Sequence, residues 1–301
     1  MDLDWIASAT GAQTVRRRAR LQELWGGYGE LHRVELDGRT AVVKWARSPG
    51  TDVSSRRKAR SFAVETAFYR GIAPRCDGTC RVPAMLAARE SDGEWHLVLE
   101  DLDAAGFSGR TDEASGARLD AVLAWLASFH ARFAGETFAD LWPTGTYWHL
   151  DTRRDELPRI ADRALRDAAP DLARRLADAR HQTLLHGDAK DANFCFARTG
   201  AVAALDFQYA GRGCAMSDVA YLLYGRADEP DDGIDRARLD TYFRLLRRAL
   251  PPGIDAAALE AEGRALYPIA RLDFCRFLAG WRPAAWRRDE RGRRFVRAML
   301  S

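Results

Sequence analysis

The chain is poor in the features that would place it outside an ordinary globular class. Its 301 residues include five cysteines, an odd number with no secretion signal ahead of them, which argues for reduced thiols rather than a disulfide framework. Cys76 and Cys80 make a lone C-x-x-x-C without a second ligand pair, so they read as incidental loop thiols and not as a zinc site. No run approaches the roughly twenty apolar residues of a membrane span, and residues 1–10 carry two aspartates with neither a basic n-region nor an apolar h-region. A cytoplasmic chain without membrane insertion is expected. Internal repeats, low-complexity tracts and flexible linkers are also missing. There is no large excess of one charge: the formal net charge is +3, with 47% hydrophobic and 30% charged residues. That composition suits one two-lobed unit or two domains, large enough to bury real cores.

Against this plain background, residues 186–193 read HGDAKDAN, and Asp206 follows thirteen positions later in AALDFQ. Two carboxylates, an ammonium and a carboxamide on two short segments are what phosphoryl transfer asks for, because that chemistry is mostly positioning and charge neutralisation. Asp188 is placed to take the proton of an attacking hydroxyl, and Lys190 to project toward the γ-phosphate. Asn193 and Asp206 offer hard oxygen ligands to the one or two Mg²⁺ ions that accompany ATP. The apolar run Thr183, Leu184, Leu185 before the motif predicts a short strand, as do the apolar positions Phe194, Phe196, Val202, Ala204 and Leu205 after it. Chance matches on polar turns are the competing explanation for either motif alone. Their order and spacing together favour a kinase.

Further parts of such a site stand upstream. The β-rich run RTAVVKW ends near Lys44, the pattern that delivers a lysine to the α- and β-phosphates. Twenty-one residues on, Glu65 lies in KARSFAVETAFYR, whose apolar positions fall at helical spacing, and it would hold Lys44 extended. Taken singly, Lys44 could be a protective edge-strand lysine and Glu65 a solvated helix carboxylate. In LWGGYGELHRVEL, Gly26, Gly27 and Gly29 interrupt two strand-like runs, and a hairpin there could lay backbone N–H groups over phosphates; an ordinary turn would use the same residues. The strand WHLVLEDL ends in a candidate hinge whose backbone, at Glu100 and Leu102, would pair with the adenine edge.

Taken together these segments resemble the aminoglycoside-phosphotransferase and choline-kinase superfamily, and within it the ecdysteroid-kinase-like (CHK kinase-like) group with its many bacterial members. The resemblance runs nearly end to end through LWGGYGELHRV, VVKWA, KARSFAVETAFYR, LVLEDLDAAGF, LASFHARF, HGDAKDANFCF and LDFQYAGRGCAMSDVAYLL. It implies an α+β, two-lobed protein-kinase-like fold. A small antiparallel N-lobe with one main helix (residues 1–99) and a hinge (100–105) would precede a larger, mostly helical lobe (106–301). It also implies an ATP- and Mg²⁺-dependent transfer to a hydroxyl of a small molecule, such as an amino alcohol, a sugar or a sterol-like metabolite. Asp188 becomes the base, Asn193 and Asp206 the metal ligands, Lys44 the phosphate-binding lysine and Glu65 its partner. His186 and Asp218 become supports of the catalytic loop, Asp218 through backbone groups; simple N-capping is its alternative role. Lys190 departs from the superfamily's commoner residues.

Gly187 replaces the arginine that reads a phosphorylated activation loop in protein kinases, and only eleven residues separate Asp206 from Asp218, too few for such a loop. A small acceptor is therefore expected, gripped between the catalytic loop and the C-terminal helices; Tyr267, Arg271, Asp273 and Trp281 are candidates, with Trp286 beside them, although packing in the helical core is the commoner role for most such residues. Helices are predicted over Leu119 to Phe133, as a pair broken near Pro170 between residues 157 and 179, and over residues 239–250 and 256–281. His130 is expected in the core. The C-terminal run of seven arginines against two acids (residues 282–297) reads as the solvated face of a helix with Trp286, Phe295 and Val296 turned inward; Arg16, Arg17, Arg18 and Arg20 are treated alike, and nucleic acid is not an expected partner. An antibiotic-inactivating kinase is the alternative within the class, with Asp228, Glu229, Asp231, Asp232 and Asp235 as a polycation site or, more simply, a solvated loop. A nucleotide-binding pseudokinase would be expected to lose Lys44, Asp188, Asn193 or Asp206, and all four are present. Nothing in the chain speaks to oligomeric state or to the identity of the acceptor.

Overall fold

The run RTAVVKWAR becomes β3 (Arg39–Arg47), a central strand in the computed structural model, which describes residues 1–24, 27–47, 50–230 and 232–301. Trp25, Gly26 and Asp231 lie outside the described residues. The chain forms two units: residues 1–110 with 194–208, and residues 111–193 with 209–301.

In the first unit β1 (Val15–Leu24), β2 (Gly29–Leu36), β3, β5 (Glu94–Glu100) and β4 (Met85–Ser91) make a five-stranded sheet in the order β1-β2-β3-β5-β4, antiparallel throughout. Side chains alternate across a strand, so β3 addresses two different layers. Ala41 and Val43 join Val34, Val98 and Ile6 of helix α1 (Leu3–Thr10) on one face. Ala46 packs on the other with Trp95, Leu24 and Phe62 of helix α2 (Val53–Ala67). Lys44, two residues before Ala46, must share that second face. At β1 the arginines lie along the sheet edge, where Arg18 pairs with Glu35 and Arg20 with Glu23 and Glu30; charge on an exposed edge discourages pairing with another chain. The short hairpin β7 (Phe194–Phe196) and β8 (Val202–Ala204) completes this unit, packing Cys195 and Ala203 on Leu102.

The second unit is helical around a two-stranded pair, β6 (Thr183–Leu185) and β9 (Gly211–Gly213). Its helices are α3 (Ala117–Arg132), α4 (Arg163–Ala177), α5 (Met216–Leu223), α6 (Arg236–Ala249), α7 (Ala256–Trp281), α8 (Pro283–Trp286) and α9 (Glu290–Leu300). The basic C-terminal run folds as the sequence indicates, with Trp286, Phe295 and Val296 buried against Leu165, Leu172, Leu272 and Cys275. One expectation fails. Pro170 does not split a helix pair but sits inside the continuous α4. It occupies the exposed face, where the Arg166 carbonyl deprived of its donor can turn to water instead of being stranded in the core.

All five cysteines are free thiols. Burial pushes Cys195 up to about 11, and Cys214 and Cys275 up to about 12, so they behave as apolar filler. Among the described residues no helix is long and apolar enough to cross a membrane.

Candidate active site

In the first unit the register of β3 against α2 brings three of the sequence-selected residues together. Phe62 and Glu65 lie one turn apart on α2 and face Ala46 and Lys44, two positions apart on β3. The Lys44 ammonium therefore meets the Glu65 carboxylate at 2.7 Å, both side chains being over nine-tenths buried, and it reaches Asp206 Oδ1 at 3.2 Å. Burial alone would lower the Lys44 pKa, but the charges of Asp206 and Glu65 outweigh it and hold the ammonium above its ordinary value. Burial raises the Glu65 carboxyl, and Lys44 and a hydrogen bond from Gln208 oppose that rise.

Asp206 is delivered by an aromatic anchor. The ring of Phe207 stacks on Phe68 with centroids 3.7 Å apart and meets the edge of Tyr69 at 5.9 Å, and both of these rings follow Glu65 at the end of α2. With Phe207 fully buried, Asp206 takes a left-handed backbone, φ 68°, a conformation that aspartate tolerates better than most side chains.

In the second unit the loop after β6 is held by a carboxylate with no exposure at all. Asp218 accepts hydrogen bonds from the backbone N–H of His186 at 2.7 Å and of Gly187 at 3.0 Å. Among the described residues its bonds go to this loop and to His130, not to its own helix. His130 Nε2 lies 3.2 Å from the same carboxylate and its Nδ1 lies 2.8 Å from the Tyr242 hydroxyl. A chain in which Tyr242 donates to Nδ1 and Nε2–H donates to Asp218 satisfies every member; this tautomer is assigned from the network. Gly187 has φ 81°, and a Cβ there would lie 2.0 Å from the Tyr209 carbonyl oxygen, so glycine is demanded by both conformation and space.

The loop presents Asp188. Its backbone N–H donates to His186 Nδ1 at 3.2 Å, and Asn193 Nδ2 donates both to its carbonyl at 2.8 Å and to its Oδ2 at 3.0 Å. Lys190 Nζ also donates to Oδ2, at 2.7 Å. Tyr221, one turn after Asp218 on α5, donates its hydroxyl to Oδ1 at 3.2 Å. Burial, and after it the charge of Asp188, push the Tyr221 phenol well above its ordinary range, which keeps it a donor. Buried Arg226 clamps Asp191 of the same loop with two bonds near 3.0 Å and ties it to Leu222 O.

A family model described as the phosphotransferase enzyme family (APH) matches residues 20–253. The chain belongs to that family. Among solved structures, the fold is shared with a thermostable mutant of aminoglycoside phosphotransferase APH(4)-Ia in ternary complex with AMP-PNP and hygromycin B, at TM-score 0.58, 15% identity and 99% coverage of both chains. The same enzyme with ADP and hygromycin B gives 0.56 at 14% identity, again covering 99% of each chain. A microcompartment-associated aminopropanol kinase gives 0.56 at 15% identity, covering 98% of this chain and 95% of that one. No curated protein sequence matches. Family membership makes the protein a phosphotransferase of the small-molecule kinase class.

The other sequence-selected residues fall in varied places in this phosphotransferase. Gly29 stands where β2 crosses β3, and a Cβ would lie 2.2 Å from the Trp45 carbonyl oxygen; Gly27 has φ 78° in the turn before it. The Glu100 carboxylate accepts from the Ala84 N–H at 3.0 Å and pairs with Arg81. Leu102 is buried, and its carbonyl accepts the Phe107 N–H at 2.8 Å. Beside them Asp101 takes a two-pronged bond from Arg33. Of the acceptor candidates, Tyr267, Arg271 and Asp273 are buried in α7, with Arg271 ion-paired to Glu229 and Asp273 to Arg276 at 2.7 Å. Trp281 is half-buried and stacks on Phe277 at 5.1 Å. The acidic loop is neutralised by arginines, since Arg238 takes Asp228 and Asp235 while Arg236 takes Asp232. Sequence reading passed over Tyr147, Tyr221 and Arg226; for Tyr221 the signal was its position three residues after Asp218, on one face of α5.

Proposed function

We propose that the protein transfers the γ-phosphoryl group of ATP to a hydroxyl of a small molecule with Mg²⁺ as the accompanying cation. The observation that carries this reading is Asp188: a carboxylate fixed by the bonds from Asn193, Lys190 and Tyr221 and presented by a loop whose backbone is pinned by Asp218. In the transfer, the bond from γ-phosphorus to the β-γ bridging oxygen breaks and a bond to the acceptor oxygen forms. The hydroxyl proton passes to Asp188, and ADP and a phosphate ester leave.

The donor chemistry suits the cofactor. Asn193 spends its amide N–H groups on Asp188, which leaves its Oδ1 as the ligand atom, and Asp206 adds a carboxylate; both are hard oxygens of the kind Mg²⁺ takes. When held there, Mg²⁺ would supply neutralisation of the charge that develops on the phosphates. Lys44, kept charged by Glu65, is the proposed phosphate-binding cation. Lys190 pairs with the base and is the cation proposed to face the γ-phosphate. Nucleotide in the complexes of APH(4)-Ia supports ATP as donor, and hygromycin B and aminopropanol in the names of similar folds support a small hydroxylated acceptor.

The test is a thermal-shift titration with ATP and Mg²⁺, followed by transfer from γ-labelled ATP to a metabolite extract. Binding at a hundredfold over Kd adds about 2.7 kcal/mol of stability. Asp188→Ala is expected to retain that shift and abolish transfer. A wild-type protein that ATP and Mg²⁺ fail to stabilise would remove the proposal.

A further inference from the structure

The surroundings of Asp188 within the second unit are unlike those expected for a polycationic acceptor. Tyr221, whose hydroxyl donates to Asp188, receives a 3.5 Å contact from the Tyr147 hydroxyl. Tyr147 in turn meets Phe277 edge-on at 5.1 Å and Trp281 at 6.2 Å. These rings form a continuous aromatic wall leading away from the base, and Tyr147, Tyr221 and Trp281 are only half-buried. Two guanidiniums line it. Arg153 lies 5.7 Å from the Tyr147 centroid and 5.5 Å from that of Phe277, held by the Tyr147 carbonyl and Glu156. Arg282 lies 4.1 Å over the Trp281 ring, is exposed, and makes no ion pair among the described residues. Both arginines act on the Tyr147 phenol to offset the rise that burial and Asp188 cause.

Among the described residues, three carboxylates on the neighbouring elements are ion-paired. Arg153 takes Glu156, Arg154 takes Asp151, and Arg276 takes Asp273. Asp188 itself is opposed by Lys190. The wall therefore offers aromatic edges and, among the described residues, a cation without an ion-pair partner, so an ammonium-rich ligand would meet repulsion and an aromatic anion would find both an aromatic surface and a counter-charge. Resting on the kinase reading above, we propose that the acceptor is an aromatic hydroxy acid: its ring lies against Tyr147 and Trp281, its carboxylate is taken by Arg282, and its hydroxyl is presented to Asp188. Aminoglycosides and simple amino alcohols are the wrong charge for this wall.

Two probes of equal shape and opposite charge, 4-(hydroxymethyl)benzoate and 4-(hydroxymethyl)benzylamine, decide the matter by ligand-observed NMR titration of the full chain without nucleotide. The benzoate is expected to bind about tenfold more tightly, equal to about 1.4 kcal/mol. Arg282→Glu should invert that order, and Trp281→Ala should weaken both probes. Equal or tighter binding of the benzylamine to wild type overturns the proposal, as does failure of both probes to bind at millimolar concentration. ATP and Mg²⁺ binding to the same preparation, followed by thermal shift, reports on the kinase reading alone, so the two can fail separately.

Discussion

Replacing Asp218 by asparagine changes one atom in a fully buried network and should cost more than its size suggests. Oδ2 serves the His186 N–H and His130 Nε2, while Oδ1 serves the Gly187 N–H. An asparagine that keeps its oxygen at the Oδ2 position preserves two of those bonds but points its own NH₂ at the Gly187 N–H, donor against donor. A hydrogen bond to a charged acceptor contributes about 1.5–3 kcal/mol, and the stranded buried N–H adds to the loss, so Asp218→Asn should destabilise by about 2–3 kcal/mol. Asp218→Ala forfeits all three contacts and should cost roughly 4 kcal/mol. In a unit of this size 2–3 kcal/mol is a fall in Tm of about 4–12 °C. The loop that moves carries Asp188, and a displacement of about 1 Å at reacting atoms can cost on the order of a hundredfold in rate; kcat should therefore fall at least tenfold while ATP still stabilises the variant. Urea and thermal unfolding measure the first effect, steady-state phosphorylation the second. An Asp218→Asn protein that melts within a degree of wild type and keeps kcat within twofold would refute the bracing role.

Gly29→Ala would place a Cβ 2.2 Å from the Trp45 carbonyl oxygen and force β2 from β3; a loss of about 2–3 kcal/mol is expected by chemical unfolding. Tyr221→Phe removes the donor to Asp188 and should lower kcat about tenfold, with nucleotide affinity unchanged in a thermal-shift titration. For Asp101, burial alone would raise the carboxyl, but Arg33 outweighs it and the folded pKa lies below the unfolded value. Its contribution is thus fully present above about pH 4 and lost as pH falls through the lower folded value. Because Arg33 is partly exposed, Asp101→Asn should cost only about 1 kcal/mol at pH 7; urea melts at pH 7 and pH 2.5 should show that difference narrowing.

Several site contacts were legible in one dimension because they are local or periodic. The pairing of Lys44 with Glu65 follows from alternation on a strand and turn spacing on a helix, and the HGDAKDAN loop brings Asp188, Lys190 and Asn193 together within six residues. The inward turn of Trp286, Phe295 and Val296 is likewise set by helical period. Pro170 misled because proline's penalty depends on whether the carbonyl it orphans faces water, and strand or helix pattern does not carry that fact.

What the sequence determined by itself was therefore the kind of chemistry: which acids, amides and ammonium groups stand on which short segments, and that no activation loop fits between Asp206 and Asp218. What only tertiary structure decided was how those groups are held and what surrounds them. Asp218 reaches across 32 positions to His186, His130 links to Tyr242 across 112, and Tyr147 meets Tyr221 across 74. Arg271 and Asp273 proved to be buried ion-pair members, while Arg282 was left without a carboxylate among the described residues. Charges near in sequence need not compensate one another; the partner is set by packing between helices, and the character of the acceptor wall depends on which arginine that packing leaves over.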